Sequence, residues 1–133
     1  MKKNLLYVPV LFCLSCTAQS DLQQNESLLI DEALLDVKQK LPKKNSPYTI
    51  WTDIYRDGKT IYFTYKMDGY HFPEEKIPLL EKVASSEPIK SQMCNFLNDE
   101  MEPSYSIVSN TFDMNQKLIF SYSYNEKNCA FKN

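Results

Sequence analysis

Glycine and histidine are both scarce in this chain of 133 residues, which contains two glycines, Gly58 and Gly69, and one histidine, His71. Phosphate-binding loops need several closely spaced glycines, so the sequence excludes them by motif. A nucleophile with a histidine base would have to use His71, which stands in a predicted turn between aromatic residues, and no serine lies in a GxSxG pattern. We therefore expect no catalytic residues and a solvated or structural His71.

Basic clusters and metal-ligand spacings are also missing. The absence of an Arg-rich or Lys-rich patch argues against nucleic acid as a partner. A single histidine and the lack of CxxC or CxH spacing argue against a metal site. Paired carboxylates fall in predicted first helical turns or loops, where they are solvated: Asp31 and Glu32, Glu74 and Glu75, Asp99 and Glu100. We expect no metal and no cofactor.

Residues 1–18 have the layout of a secretory signal. Lys2 and Lys3 precede an apolar run over residues 5–14, and small residues follow. The run is shorter than the roughly 20 apolar residues that cross a bilayer. We expect export to the periplasm or to the outer membrane.

Two cleavage routes remain open. Cys16 and Ala18 suit the small positions of an ordinary cut after Ala18. Alternatively, Leu14-Ser15-Cys16 resembles the lipobox of bacterial lipoproteins, in which Cys16 becomes the lipidated first residue, although Cys13 stands where a lipobox usually has leucine. On that route the lipid on Cys16 would be the contact with the membrane.

The rest of the chain divides into a polar linker, residues 19–25, which we expect to be disordered, and a single small domain, residues 26–133. Loss of Lys2 and Lys3 leaves 13 of the 15 basic residues against 17 acidic ones, a net charge of −4. Only Cys94 and Cys129 remain in the body, and an even number of cysteines in an oxidising compartment indicates a disulfide. Two buried free thiols are the alternative.

Periodicity predicts an α+β fold. Apolar residues with helical spacing predict a first helix that ends at Pro42: Ile30, Leu34, Val37 and Leu41. Residues 48–55 and 60–67 are rich in β-branched and aromatic residues, and Asp57-Gly58 between them predicts a hairpin with a type I′ turn.

A helical segment follows this hairpin, with one helix over about 78–84 and another from about Ser86. Residues 105–112 and 117–124 form a second predicted hairpin. We therefore expect one antiparallel sheet with helices packed on it, and one disulfide that ties the end of the last strand to the second of these helices.

An aromatic surface is the best binding candidate. The predicted register pairs Trp51 with Thr64 and places Trp51, Tyr55 and Tyr62 on one face of the first hairpin. Tyrosine and tryptophan are enriched in binding hot spots. The alternative is that the first helix covers this face and makes the three residues part of the core.

The order of these features resembles small uncharacterised periplasmic proteins or lipoproteins of Gram-negative bacteria. The resemblance covers about residues 41–129 and is carried by Leu41-Pro42, the strand Tyr62-Phe63-Thr64-Tyr65, Cys94 and Cys129. It implies an α+β fold, with no known activity and no site residues.

Three hypotheses of function follow. The first is a non-enzymatic module that binds another envelope or secreted protein, of the immunity or inhibitor type. The second is an outer-membrane lipoprotein accessory of envelope assembly, resembling the pilotins that escort secretion-channel subunits, and it requires lipidation of Cys16. The third is an enzyme, which would need a carboxylate such as Asp53 desolvated beside Trp51 or Tyr62.

Overall fold

The computed structural model describes residues 24–69, 71–101 and 104–129. The predicted signal segment and Cys16 lie outside these residues. The chain divides into two units, Met1–Ala33 and Leu34–Asn133. Residues 24–38 are helical (α1), so residues 24 and 25 are helix although their composition predicts linker. Within the described residues, no helix combines the length and the apolarity needed to cross a bilayer.

The second unit contains a single five-stranded sheet. Its strands, in their order across the sheet, are β1 (Lys43–Ser46), β2 (Thr49–Asp57), β3 (Thr60–Met67), β4 (Ser106–Phe112) and β5 (Leu118–Tyr124). The two predicted hairpins are present as β2–β3 and β4–β5, and β1 adds an antiparallel edge beside β2.

The predicted antiparallel arrangement is wrong at the centre of the sheet, where β3 and β4 run parallel. The cause is the helical segment between them, because a long connection can carry the chain back to the end of the sheet where β3 began. The sheet is therefore mixed.

The edge strand β1 has almost no strand signal in its sequence. It is four residues long, carries Lys43 and Lys44, and follows Pro42. Short length, lysine and flanking proline are the features that keep a sheet edge from pairing with another chain. The same features give the segment a low strand propensity, so its sequence does not predict β1.

Two helices follow β3 after a short 3₁₀ turn, Glu74–Lys76. They are α2 (Ile77–Ala84) and α3 (Glu87–Glu100). Pro78 and Pro88 lie in the first turn of each helix, where the missing N–H costs no hydrogen bond. Both helices begin close to where proline predicts.

The core lies on the side of the sheet that carries α2 and α3, here called the inner face. Alternate residues of β3 are buried from Ile61 to Met67. The most deeply buried side chains are each at most 1% exposed: Ile54, Ile61, Leu97, Ile107 and Tyr124. Burial of one such apolar side chain contributes about 1.5–3 kcal/mol. From α1, Leu34 is buried as well.

The turn of the first hairpin differs from its prediction. Asp57 pairs with Thr60, so Gly58 and Lys59 form the two-residue loop in place of Asp57 and Gly58. Gly58 has a φ of +60° and stands at the first loop position, which is the glycine position of a type II′ turn. Ile54 consequently pairs with Phe63 rather than with Ile61. Because the pairing is shifted by two residues, the residues near the turn keep their faces.

The predicted disulfide joins Cys94 of α3 to Cys129, which follows β5. The Cα atoms of the two cysteines are 5.5 Å apart. A turn built on Asn125 holds Cys129 against the end of β5, since the Cys129 N–H donates to the Asn125 carbonyl at 2.8 Å. The bond therefore links the helical layer to the last strand.

Reduction of this disulfide should lower the free energy of unfolding by about 3–4 kcal/mol, because it releases a loop of 35 residues in the unfolded chain. Denaturant titration with and without a reductant measures the change. A Cys94→Ser/Cys129→Ser variant should match the reduced protein and should not respond to reductant. Equal stability of the oxidised and reduced proteins would contradict this role.

Candidate functional site

An extra residue in β2 determines which face carries Trp51. Asp53 pairs with Thr64, but Trp51 pairs with Tyr65, so Thr52 has no partner of its own and forms a β-bulge. A bulge adds one residue to one strand and reverses the faces of all residues beyond it. Trp51 therefore lies on the inner face instead of the outer face that simple alternation predicts.

The predicted aromatic surface is consequently divided between the two faces. Tyr55 and Tyr62 pair across the strands and stack with ring centroids 4.9 Å apart on the outer face, where Tyr55 is 42% exposed. Trp51 instead stacks on Phe63 at 5.2 Å, with the two rings nearly parallel. The prediction of one shared face is wrong for Trp51 because of the bulge at Thr52.

Trp51 is held in a defined orientation. Its Nε1–H donates to the backbone carbonyl of Asp53 at 3.0 Å, and its ring lies 6.3 Å from the ring of Tyr65. Phe96 of α3 meets the other aromatic partner, Phe63, edge to face at 6.0 Å. These rings form an aromatic floor, defined as Trp51, Phe63 and Tyr65.

Above this floor lies an open groove of about 620 Å³. One wall comes from the helical layer, with Leu80 and Val83 of α2 and with Met93 and Phe96 of α3. The opposite side is formed by Val37 of α1 and by residues around the β1–β2 turn: Asn45, Ser46 and Thr49. None of the described residues that line the groove is charged.

The end of the groove at β5 is closed by a buried hydrogen bond. The Tyr124 hydroxyl donates to the Ala84 carbonyl of α2 at 2.8 Å. Burial, with a smaller contribution from Tyr122, raises the pKa of Tyr124 from 10.0 to about 12. Burial also raises the pKa of Tyr65 well above its ordinary value, assisted by Tyr124. Both phenols therefore stay neutral at physiological pH, and they contribute apolar rings and O–H donors.

The remaining candidates from the sequence lie outside the groove. Asp53 accepts a hydrogen bond from the Ile54 N–H at 2.9 Å and pairs with Lys38 at 3.3 Å, and 39% of its side chain is exposed. Its surroundings are those of a surface ion pair rather than of a desolvated carboxylate. His71 is exposed. In the part of the chain that the structure describes, no three metal-ligating side chains come together.

A smaller cavity of about 310 Å³ lies beside the bulge and is lined by Thr52, Thr64, Lys66, Phe112 and Asp113, among others. The Asp113 carboxylate already accepts the backbone N–H groups of Asn115 and Lys117. Its role is to shape the β4–β5 turn. The groove is the larger of these two concave surfaces.

No protein-family model and no curated protein matches this sequence. Three solved structures share its fold. A protein of Pseudomonas aeruginosa described as secreted superposes with a TM-score of 0.57 at 9% identity, over 78% of this chain and 96% of its own. The pilotin EpsS of the Vibrio vulnificus type 2 secretion system superposes with a TM-score of 0.52 at 10% identity, over 82% of this chain and 96% of its own.

The type II secretion system pilotin AspS of Vibrio cholerae gives a TM-score of 0.50 at 14% identity, over 84% of this chain and 99% of that protein. At these identities the likeness concerns the fold alone. The class that this chain resembles is therefore a small α+β domain built like the pilotins.

Alkaline pH should destabilise the protein through the groove tyrosines. Because burial raises the pKa of Tyr124 from 10.0 to about 12, the unfolded chain loses this proton first. The stability that Tyr124 contributes through this shift is complete below pH 10.0 and is lost as the pH rises toward about 12. Denaturant titrations across this range measure the decline, which should be shallower in Tyr124→Phe. Equal slopes in the two proteins would contradict the assignment.

Proposed function

We propose that this chain is an exported, non-enzymatic accessory of the cell envelope, pilotin-like in role, that holds an apolar helical segment of a secretion-channel subunit in its groove. The observation that carries the proposal is an open groove whose floor is aromatic and whose lining bears no charge.

The groove is a gap in the layer of helices that covers the inner face. Helices α2 and α3 lie over β4 and β5, and Val37 of α1 lines the groove on its other side. Between them the groove exposes part of Trp51, which is half-buried, whereas Phe63 and Tyr65 beneath it are buried. We expect one further helix, about 10 Å in diameter with its side chains, to enter this groove.

A helix fits this surface better than a strand does. The floor belongs to β2 and β3, which are interior strands whose backbones are paired on both sides. A partner here can form no sheet hydrogen bonds and must satisfy its own backbone, as a helix does. An amphipathic helix with its apolar face in an apolar groove is a recurrent mode of peptide recognition.

The lining also defines the chemistry of the bound face. A charged side chain buried here would find no counter-charge among the described lining residues, and burial of an unpaired charge is costly. The bound face should therefore be aliphatic or aromatic. Threonine, serine and asparagine around the β1–β2 turn can accept polar groups at one end.

Three observations support a location in the cell envelope. Residues 1–18 resemble a secretory signal, and the disulfide needs an oxidising compartment. The fold is also shared with two pilotins and with a protein described as secreted. The likeness to pilotins favours the accessory hypothesis over the immunity or inhibitor hypothesis. Lipidation of Cys16 is part of this proposal.

The sharpest test uses two exposed residues of α2. Val83 is 58% exposed and lines the groove, whereas Leu79 is 54% exposed and does not. Val83→Lys places a charge at the groove and should abolish co-purification of an outer-membrane channel subunit from envelope extracts. Leu79→Lys, a matched change on the same helix, should leave it intact. Mass spectrometry identifies the recovered subunit.

A second pair of substitutions tests which face of the sheet binds the partner. Trp51→Ala should weaken binding by about 2–4 kcal/mol, because a central tryptophan carries a large share of interface energy. Tyr55→Ala, on the outer face, should bind like the wild type. Isothermal titration with a peptide from the recovered subunit measures both.

Three results would contradict the proposal. They are recovery of no channel subunit by the wild-type protein, equal recovery by Val83→Lys, and loss of binding in Tyr55→Ala but not in Trp51→Ala. The last result would show that the partner binds the outer face of the sheet.

A further inference from the structure

Three hydroxyl groups lie together on the inner face of β3 and β4. Tyr65 of β3 pairs with Thr111 of β4, and Ser109 stands two residues before Thr111 on the same face. All three residues line the groove, and we call them the hydroxyl cluster. Tyr65 and Thr111 are each only 9% exposed, and Ser109 is half-buried. The groove therefore carries a small polar patch at its base.

The hydroxyl cluster makes no hydrogen bond to any other residue that the structure describes. The hydroxyl of Tyr124, by contrast, donates to the Ala84 carbonyl. Among the same residues every fully enclosed side-chain oxygen or nitrogen has a partner, so the oxygens of the hydroxyl cluster are not enclosed and open into the groove that they line. Buried polar groups are normally paired within the fold. A phenol that is nine-tenths buried and unpaired is therefore a candidate contact for a ligand.

A helix bound in the groove would cover these hydroxyls. In the open groove solvent can satisfy them, but a bound helix excludes that solvent. An apolar side chain above the hydroxyl cluster would leave buried O–H groups without a partner, which is costly. A charged side chain would find no counter-charge among the described lining residues. The side chain at this point of the helix must therefore be polar and uncharged.

We infer that the hydroxyl cluster is a subsite for the carboxamide of an asparagine or glutamine on the bound helix, an inference that rests on the proposed function. The Tyr65 O–H donates to the amide carbonyl, and the amide NH₂ donates to the Thr111 and Ser109 oxygens, which can accept. Serine and threonine suit this role less well, because in a helix their hydroxyls can bond to a carbonyl of the preceding turn. Burial raises the pKa of Tyr65, so the phenol remains a donor at physiological pH.

The first test needs no partner and asks whether the fold itself uses the Tyr65 hydroxyl. Tyr124→Phe should lower the denaturant midpoint, because it removes the hydrogen bond to Ala84. Tyr65→Phe and Thr111→Val remove hydroxyls that bond to no described residue, so the midpoint should stay unchanged or rise. If Tyr65→Phe lowered the midpoint as much as Tyr124→Phe, the Tyr65 hydroxyl would be a structural donor and the inference would fail.

The second test selects the helix directly. Amphipathic helical peptides with randomised apolar faces are displayed and selected on the wild-type protein and on a Tyr65→Phe/Thr111→Val variant. The wild type should select faces that carry one asparagine or glutamine among apolar residues, and the double variant should select faces that are apolar throughout. Tyr62→Phe, which removes a phenol from the outer face of the same strand, is the matched control and should select like the wild type.

Titration calorimetry then measures the carboxamide itself. Replacement of the selected asparagine or glutamine by leucine should weaken binding to the wild type about tenfold, since it leaves hydroxyls buried without partners. The same replacement should not weaken binding to the double variant.

Selection of wholly apolar faces by the wild type, or of no helix at all, would overturn the subsite. Equal binding of the carboxamide and leucine peptides would do the same. The proposed function can fail separately. If the selected peptides behave as expected while no channel subunit is recovered from envelope extracts, the subsite stands and the role in secretion is wrong. If a subunit is recovered and its peptide binds Tyr65→Phe as tightly as the wild type, the role stands and the subsite is wrong.

Discussion

The β-bulge at Thr52 is the constraint on which the groove depends. One unpaired residue in β2 reverses the faces of the residues before it, so the indole of Trp51 stacks on Phe63 instead of joining Tyr55 and Tyr62. Without that reversal the inner face above β2 would lose the largest ring of its floor. The hydrogen bond from Nε1 to the Asp53 carbonyl then fixes the ring, because it uses a backbone group close to the bulge itself.

The rest of the second unit leaves an open groove beside Trp51, which is half-buried. The crossover that makes β3 and β4 parallel carries α2 and α3 to the β5 side, where the Tyr124 hydroxyl and the disulfide hold them. An open and mostly apolar groove of this kind is a candidate interaction site. Its lack of charge suits a partner that brings an apolar face.

Much of the fold is predictable from local chemistry, because the signals are strong at particular residues. Pro78 and Pro88 place the starts of the helices, Gly58 places a hairpin, and Cys94 with Cys129 predicts the cross-link. The bulge is not predictable, since Thr52 is an ordinary strand residue and an extra residue leaves no trace in composition. The turn is ambiguous because Asp57-Gly58 and Gly58-Lys59 both satisfy hairpin rules. The parallel pairing of β3 with β4 depends on tertiary packing, and the sequence of neither strand determines it.

The position of Trp51 can be measured directly by nuclear Overhauser effects in the oxidised protein. The account predicts strong effects between the indole protons and the ring of Phe63, whose centroid lies 5.2 Å away, and none to the ring of Tyr62. Strong effects to Tyr62, with none to Phe63, would show that β2 pairs without a bulge. Trp51 would then lie on the outer face, and the groove would have no aromatic floor for a partner to bind.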